Sequence, residues 1–348
     1  MMMGIRSRAL DQVWFWFVLI HIAGSVALAV LLGIHYGTVL AGTLPWIYCA
    51  WANRKAGAGI FLSAVGWSVT MYLLHLMPLA YRVSFLMNLL VLTGILFLYF
   101  GSIRQMGQEN RIGMISWKDL LFILAFTLLF LFIGEYVNAV SMLVFRNYVT
   151  DSLADISTNL WSGIIVFAAA PALVEEIMFR GFIFSRLGNG RKAILVSALL
   201  FSLGHMNFNQ ICYAFIMGIL FALIFHCTDN LTYTLLIHFL FNLYSVMFSA
   251  FAESPLTEVL GTFGILGYHP FLPILRDEAG NVMVRALGVG TGLVLCAALL
   301  VFLLLRYLRK RKGIVALRDG AEPAWRPGLP FYAGIGLCLI IAITREIL

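Results

Sequence analysis

Long apolar runs constrain this chain more than any other feature. About eleven stretches are apolar enough to lie in a membrane: 13–33, 38–52, 57–77, 83–101, 119–143, 160–187, 192–206, 210–227, 231–250, 286–306 and 330–345. A helix needs about 20 apolar residues to cross a bilayer. Most of these stretches can therefore span, while 38–52 and 192–206 are short and leave room for a re-entrant hairpin. With 62% hydrophobic and only 11% charged residues, the chain is no soluble domain. The expected fold is all-α, a polytopic helical membrane protein.

Charge is then read through topology. The net charge of +7 has no concentrated basic domain behind it, so no nucleic-acid partner is expected. A cytoplasmic N-terminus puts 18 of the 23 Lys and Arg on the inner side, including Arg54, Lys55, Arg180, Arg191, Lys192 and the tract Arg306–Lys312. Arg82, Arg146, Arg276, Arg285 and Arg345 fall outside. That asymmetry is the positive-inside rule, and it predicts a multi-pass protein of the cell membrane. The 306–312 tract would meet anionic lipid headgroups. The five cysteines are scattered singly without a C-x-x-C pair, so neither a disulfide framework nor a zinc knuckle is indicated. The basic start precedes an apolar stretch too long for a signal peptide. No internal repeat of the inverted-transporter kind is visible. Three regions follow: N-terminal membrane helices (1–150), a chemistry-bearing core (160–250), and an outside loop with two C-terminal helices (251–348).

The core is singled out by Pro171-Ala-Leu-Val-Glu175-Glu176-Ile-Met-Phe-Arg180, ionisable residues inside an apolar run. Each costs roughly 2.5–3.5 kcal/mol at the centre of a membrane helix. Glu176 and Arg180 are four apart and can pair on one face. Glu175 points about 100° away and is left to face something else. Pro171 is expected to kink the helix just before the acids. Two further pairs at helical spacing follow, Phe201-x-x-x-His205 and His238-x-x-x-Asn242. Glu175 and His205 lie equally far from the turn at Gly190, about 22 Å deep at 1.5 Å per residue. Asn242 lies about 18 Å past Asn230, and His238 one turn shallower.

Glu175 is a competent general base towards water, and His205 can share the water's proton or pass it to a leaving amine. His238 and the Asn242 amide can supply donors to an oxyanion. Equally, His205, His238 and Glu175 form a zinc set for metal-activated hydrolysis, so zinc is the one cofactor these residues could carry. A proton-coupled transporter could also use Glu and His at this depth, and a buried ion pair could simply fix helix packing. Among the remaining polar residues, His21 reads as a structural hydrogen-bonder. Glu135 reads as a carboxylate partnered by Tyr136 or Asn138.

Taken together, Glu175-Glu176-x-x-x-Arg180, Phe201-x-x-x-His205 and His238-x-x-x-Asn242, in this order, resemble the three motifs of the CPBP family (CAAX-protease-like and Abi membrane endopeptidases). The resemblance covers about residues 160–250. It implies an intramembrane endopeptidase acting on a membrane-associated, prenyl- or leader-type peptide, with a polar cavity open to the membrane or cytoplasmic side. By position, Glu175 and His205 would activate water, His238 and Asn242 would stabilise the oxyanion, and Glu176 with Arg180 would hold the site's shape. The family also contains immunity and scaffold-like members without established proteolysis.

Overall fold

The computed structural model describes residues 2–32, 81–91, 112–148, 160–187, 190–251, 284–312 and 327–347, with isolated positions between 65 and 77. The expected span 38–52, most of 57–77, part of 83–101 and the outside loop lie beyond the described residues. Those described are helical: α1 (Met2–Leu32), α2 (Tyr81–Val91), α3 (Trp117–Ser141), α4 (Leu160–Leu187), α5 (Arg191–Leu203), α6 (Phe208–Thr228), α7 (Leu231–Ala250), α8 (Val284–Lys312) and α9 (Leu329–Ile347). Six of them, α3, α4, α6, α7, α8 and α9, are long and apolar enough to cross a membrane. The protein is a polytopic helical membrane protein.

Local chemistry sets where the core helices start. Ser116 and Asp119 form a capping box at the head of α3, Ser116 N–H donating to Asp119 (3.0 Å) and Asp119 N–H to Ser116 Oγ (3.3 Å). Asn207 caps α6 and Asn230 caps α7. Between them Asp229 takes a left-handed backbone (φ 48°) that ends α6. Asn230 also accepts the Gly113 N–H (3.1 Å), and Thr232 Oγ1 donates to the Gly113 carbonyl (2.8 Å), tying the entry of α3 to the α6–α7 turn. Asn230-Leu-Thr232, which has the form of a glycosylation sequon, serves as this junction.

In the core, α5 and α6 form a close antiparallel pair, α4 packs against α5 and α7, and α3 lies against α6, α7 and α8. Gly218 of α6 is the point of closest approach: a Cβ there would lie 2.9 Å from Ala198 Cα of α5. Away from the core, α1 packs on α9. There Trp14 sits against Gly334, and the buried Asp11 accepts the Gly328 N–H (2.6 Å).

α4 is continuous through Pro171, wound as a π-helix over Ile164–Ala169 and again over Ile177–Phe184, with an ordinary α-helical stretch Ala170–Glu176 between. π-Turns, like proline, are places where a helix bends, and they recur at functional sites. One sequence expectation needs correction: the stretch 192–206 is not helical to its end. α5 has 13 residues, about 20 Å at 1.5 Å per residue, short of the ~30 Å hydrocarbon layer. Gly204 closes it, so His205 stands in the following turn, beside Met206 with φ 52°.

Candidate active site

The site is assembled around a fully buried ion pair. Arg180 Nη1 donates to Glu176 Oε1 at 2.8 Å, and both side chains are 0% exposed. The second guanidinium arm donates to the Gly218 carbonyl (3.2 Å), which has no side chain in front of it. Phe201 and Phe221 cover the guanidinium, their ring centroids 4.4 and 5.0 Å from Cζ, a cation–π arrangement that is stronger out of water. Arg180 is thus a structural hub inside the span, not one of the cytoplasmic charges that the topology counted.

Glu176 Oε1 also meets His238 Nδ1 at 2.9 Å. A carboxylate paired with arginine only accepts, so the His238 proton on that side sits on Nδ1. His238 further stacks on Phe221, with centroids 5.0 Å apart. The Nδ1 of His205 lies 2.9 Å from the Phe201 carbonyl; a carbonyl cannot donate, so this proton is on Nδ1 too. Both rings therefore turn Nε2 towards the interior. Each Nε2 lies 3.9 Å from the same atom, Oε2 of Glu175. Glu175 Oε2 is buried and has no hydrogen-bond partner among the described residues, although its side chain as a whole is 21% exposed.

Glu175, His205, His238 and Asn242 all line one cavity of about 520 Å³. The helical pitch had put His238 a turn too shallow, and the fold brings its ring alongside Glu175 nonetheless. Asn242 is half-buried on the cavity wall. Glu176 and Arg180 lie behind the wall, as the 100° offset from Glu175 requires. By chemistry, Glu175, His205 and His238 are a zinc donor set. Among the described residues, however, no three such groups stand close enough together to enclose a metal ion.

Some nearby residues were not legible as part of the site. His21 of α1 interacts electrostatically with both Glu175 and His205. Its Nδ1 meets the Phe17 carbonyl at 3.2 Å, repeating the Phe-x-x-x-His arrangement of Phe201 and His205. That repeated spacing was the available signal. Tyr213, Tyr148 and Arg345 also reach the cavity, from helices whose sequences mark none of them. Glu135 hydrogen-bonds Asn138, whereas Tyr136 instead bonds α8 at the Leu287 carbonyl (2.8 Å).

Comparison with known proteins converges on the same segment. Residues 157–244 match the family described as Type II CAAX prenyl endopeptidase Rce1-like. The membrane-embedded CAAX protease MroQ of Staphylococcus aureus (strain USA300) is 31% identical over 133 residues, 36% of this chain and 53% of MroQ. The chain thus spans about half the length of the curated relative it matches. No solved structure matches.

Proposed function

Through residues 157–244 the chain belongs to the CPBP family of CAAX-protease-like membrane proteins, and from that premise we propose that it is an intramembrane endopeptidase using a glutamate-activated water. One observation carries this reading: a buried carboxylate oxygen without a hydrogen-bond partner, 3.9 Å from two imidazole Nε2 atoms, on the wall of a cavity. Those separations are too long for direct hydrogen bonds and suit a bridging water, which needs two to four polar partners. Glu175 takes a proton from that water as it attacks the peptide carbonyl. His205 receives that proton at Nε2 and passes it on to the leaving amine. His238, protonated with Glu176 supporting the charge through Nδ1, donates from Nε2 to the oxyanion beside the Asn242 amide. Arg180 and Glu176 hold the ring of His238 and make no contact with substrate. The substrate is a membrane-associated peptide of the prenyl- or leader-bearing kind.

The test compares membrane and leader peptides, by mass spectrometry, in cells carrying the wild-type or the Glu175→Gln protein. Fragments unique to the wild type are expected; identical peptide sets would sink the endopeptidase reading. On a fragmenting substrate, Asn242→Ala should lower turnover a hundredfold or more, about 2.7–4 kcal/mol in the barrier, with binding little changed. Near-normal turnover would remove Asn242 from the oxyanion role.

The N-terminus is proposed to be cytoplasmic, since the basic residues Arg191, Lys192, Arg306 and Lys310 then face inwards. Gly190→Cys and Lys310→Cys, in a cysteine-free background, should both react with a membrane-impermeant maleimide only from the cytoplasmic side. Labelling of the two from opposite sides would contradict the topology.

A further inference from the structure

Of the four site residues on the cavity wall, His205 alone lies outside a helix, in the short turn that joins α5 to α6. Its aim is therefore only as good as the hold on that turn. From the α5 side the hold is the 2.9 Å contact of its Nδ1 with the Phe201 carbonyl. Met206, next in the turn, takes a left-handed backbone (φ 52°). Such a conformation strains a residue that has a side chain, and it persists where surrounding structure supports it.

On the α6 side that support comes from α3. Asn209, in the first turn of α6, is 0% exposed. Its amide nitrogen donates to Ser141 Oγ at 2.6 Å and to the Asn138 carbonyl at 3.4 Å. A carbonyl cannot donate, so the nitrogen of this amide, not its oxygen, faces α3. Ser141 is itself well fixed. Its hydroxyl donates to the Asn138 carbonyl (2.8 Å), and its own carbonyl accepts the Phe145 N–H (2.8 Å). Beside Asn209, Phe208 stacks on Phe145 just past the end of α3, with centroids 5.3 Å apart. Asn207 caps α6 by accepting the Gln210 N–H (3.4 Å). Residues two, three and four positions after His205 are thus pinned, the last two of them to α3 or its exit.

We propose that Asn209 is a positioning residue: with Ser141 as its anchor on α3, it fixes the turn that aims His205. This deepens the hydrolase reading and rests on it. It also gives α3 a part in the site, although Asn138 and Ser141 lie outside the matched residues 157–244. The role is separable from folding. Without the Asn209 amide, Ser141 keeps the Asn138 carbonyl, and that carbonyl keeps the Met142 N–H (2.9 Å). Asn209→Leu, close to isosteric, therefore strands no group on α3. A misplacement of about 1 Å can cost about a hundredfold in rate, so loosening this turn acts on turnover.

The experiment reads the His205 ring directly. Full-length protein carrying isotopically nitrogen-labelled histidine is placed in phosphatidylcholine nanodiscs, and its ring nitrogens are observed by NMR. His205→Gln and His238→Gln assign the signals. In the wild type His205 should show one tautomer, protonated at Nδ1. In Asn209→Leu its two nitrogen signals should move together, as the ring leaves the Phe201 carbonyl and exchanges tautomers. His238, held by Glu176, should keep its signals. Ser141→Ala should reproduce the change from the α3 side without altering α6. On a fragmenting substrate both variants should lower kcat about tenfold or more, with KM within about twofold of wild type. Unchanged His205 signals in either variant, or a kcat within about twofold of wild type, overturns the proposal. Equal disturbance of His205 and His238 also overturns it, making the contact a general prop of the fold. Changes confined to His205, in a protein whose wild type releases no fragments, would instead overturn the hydrolase reading and leave the hold on His205 standing.

Discussion

Glu175→Gln should abolish peptide hydrolysis, by about 10²–10⁴-fold in turnover, and leave the folded protein intact. Gln keeps the length and polarity of the side chain but cannot accept the water's proton. Structurally little is lost, because Glu175 Oε2 makes no hydrogen bond for the amide to disturb. Its contacts with His205 and His238 are long, at 3.9 Å. Detergent-solubilised yield and thermal unfolding should therefore match the wild type. A Glu175→Gln protein that turns over normally would exclude Glu175 as the base. One that fails to fold would show the carboxylate to be structural.

Arg180→Ala should behave in the opposite way. It leaves Glu176 charged and 0% exposed, with only the contacts to His238 and Thr234 to hold it, and breaking a buried pair from one side costs about 3–5 kcal/mol. It also empties the slot between Phe201 and Phe221 and removes the tie from α4 to the Gly218 carbonyl of α6. Folded yield should drop steeply, with activity falling at least as far. Arg180→Lys rescues poorly, since an ammonium has neither the flat face for the two rings nor the fork that spans Glu176 and Gly218. Adding Glu176→Gln to Arg180→Ala should recover part of the yield, because no buried charge is then left alone. Wild-type yield for Arg180→Ala, or no recovery in the double variant, would refute the hub assignment of the pair.

The two variants separate what local spacing could reveal from what it could not. The Glu176–Arg180 pair follows from a four-residue interval on one helix, and the structure forms it at 2.8 Å. The limits of α4 and α7 also follow from apolar pattern, being 160–187 and 231–250 in both readings. The position of His205 does not. A helix carried to 206 would place it on a regular face, whereas Gly204 stops α5 and a turn aims the ring. Gly204 was the available stop signal, overridden by continuing apolarity. The π-helical winding of α4 has no sequence signature of this kind. Arg345 and Tyr148 were hidden for another reason. They meet the cavity through contacts between helices far apart in the chain, where no interval can be read.

The shortness of α5 has a consequence for the surrounding lipid. Leu195 and Leu199 are exposed on its outer face, 52% and 39%, and offer the acyl chains a wall of about 20 Å rather than ~30 Å. A bilayer meeting such a wall thins or admits water beside it, at a cost of fractions of a kcal/mol per ångström of mismatch. The turn bearing His205 lies at the top of that wall. On the hydrolase reading proposed above, such thinning falls beside the turn to which water and the peptide backbone must both come, and turnover is expected to vary with lipid acyl length.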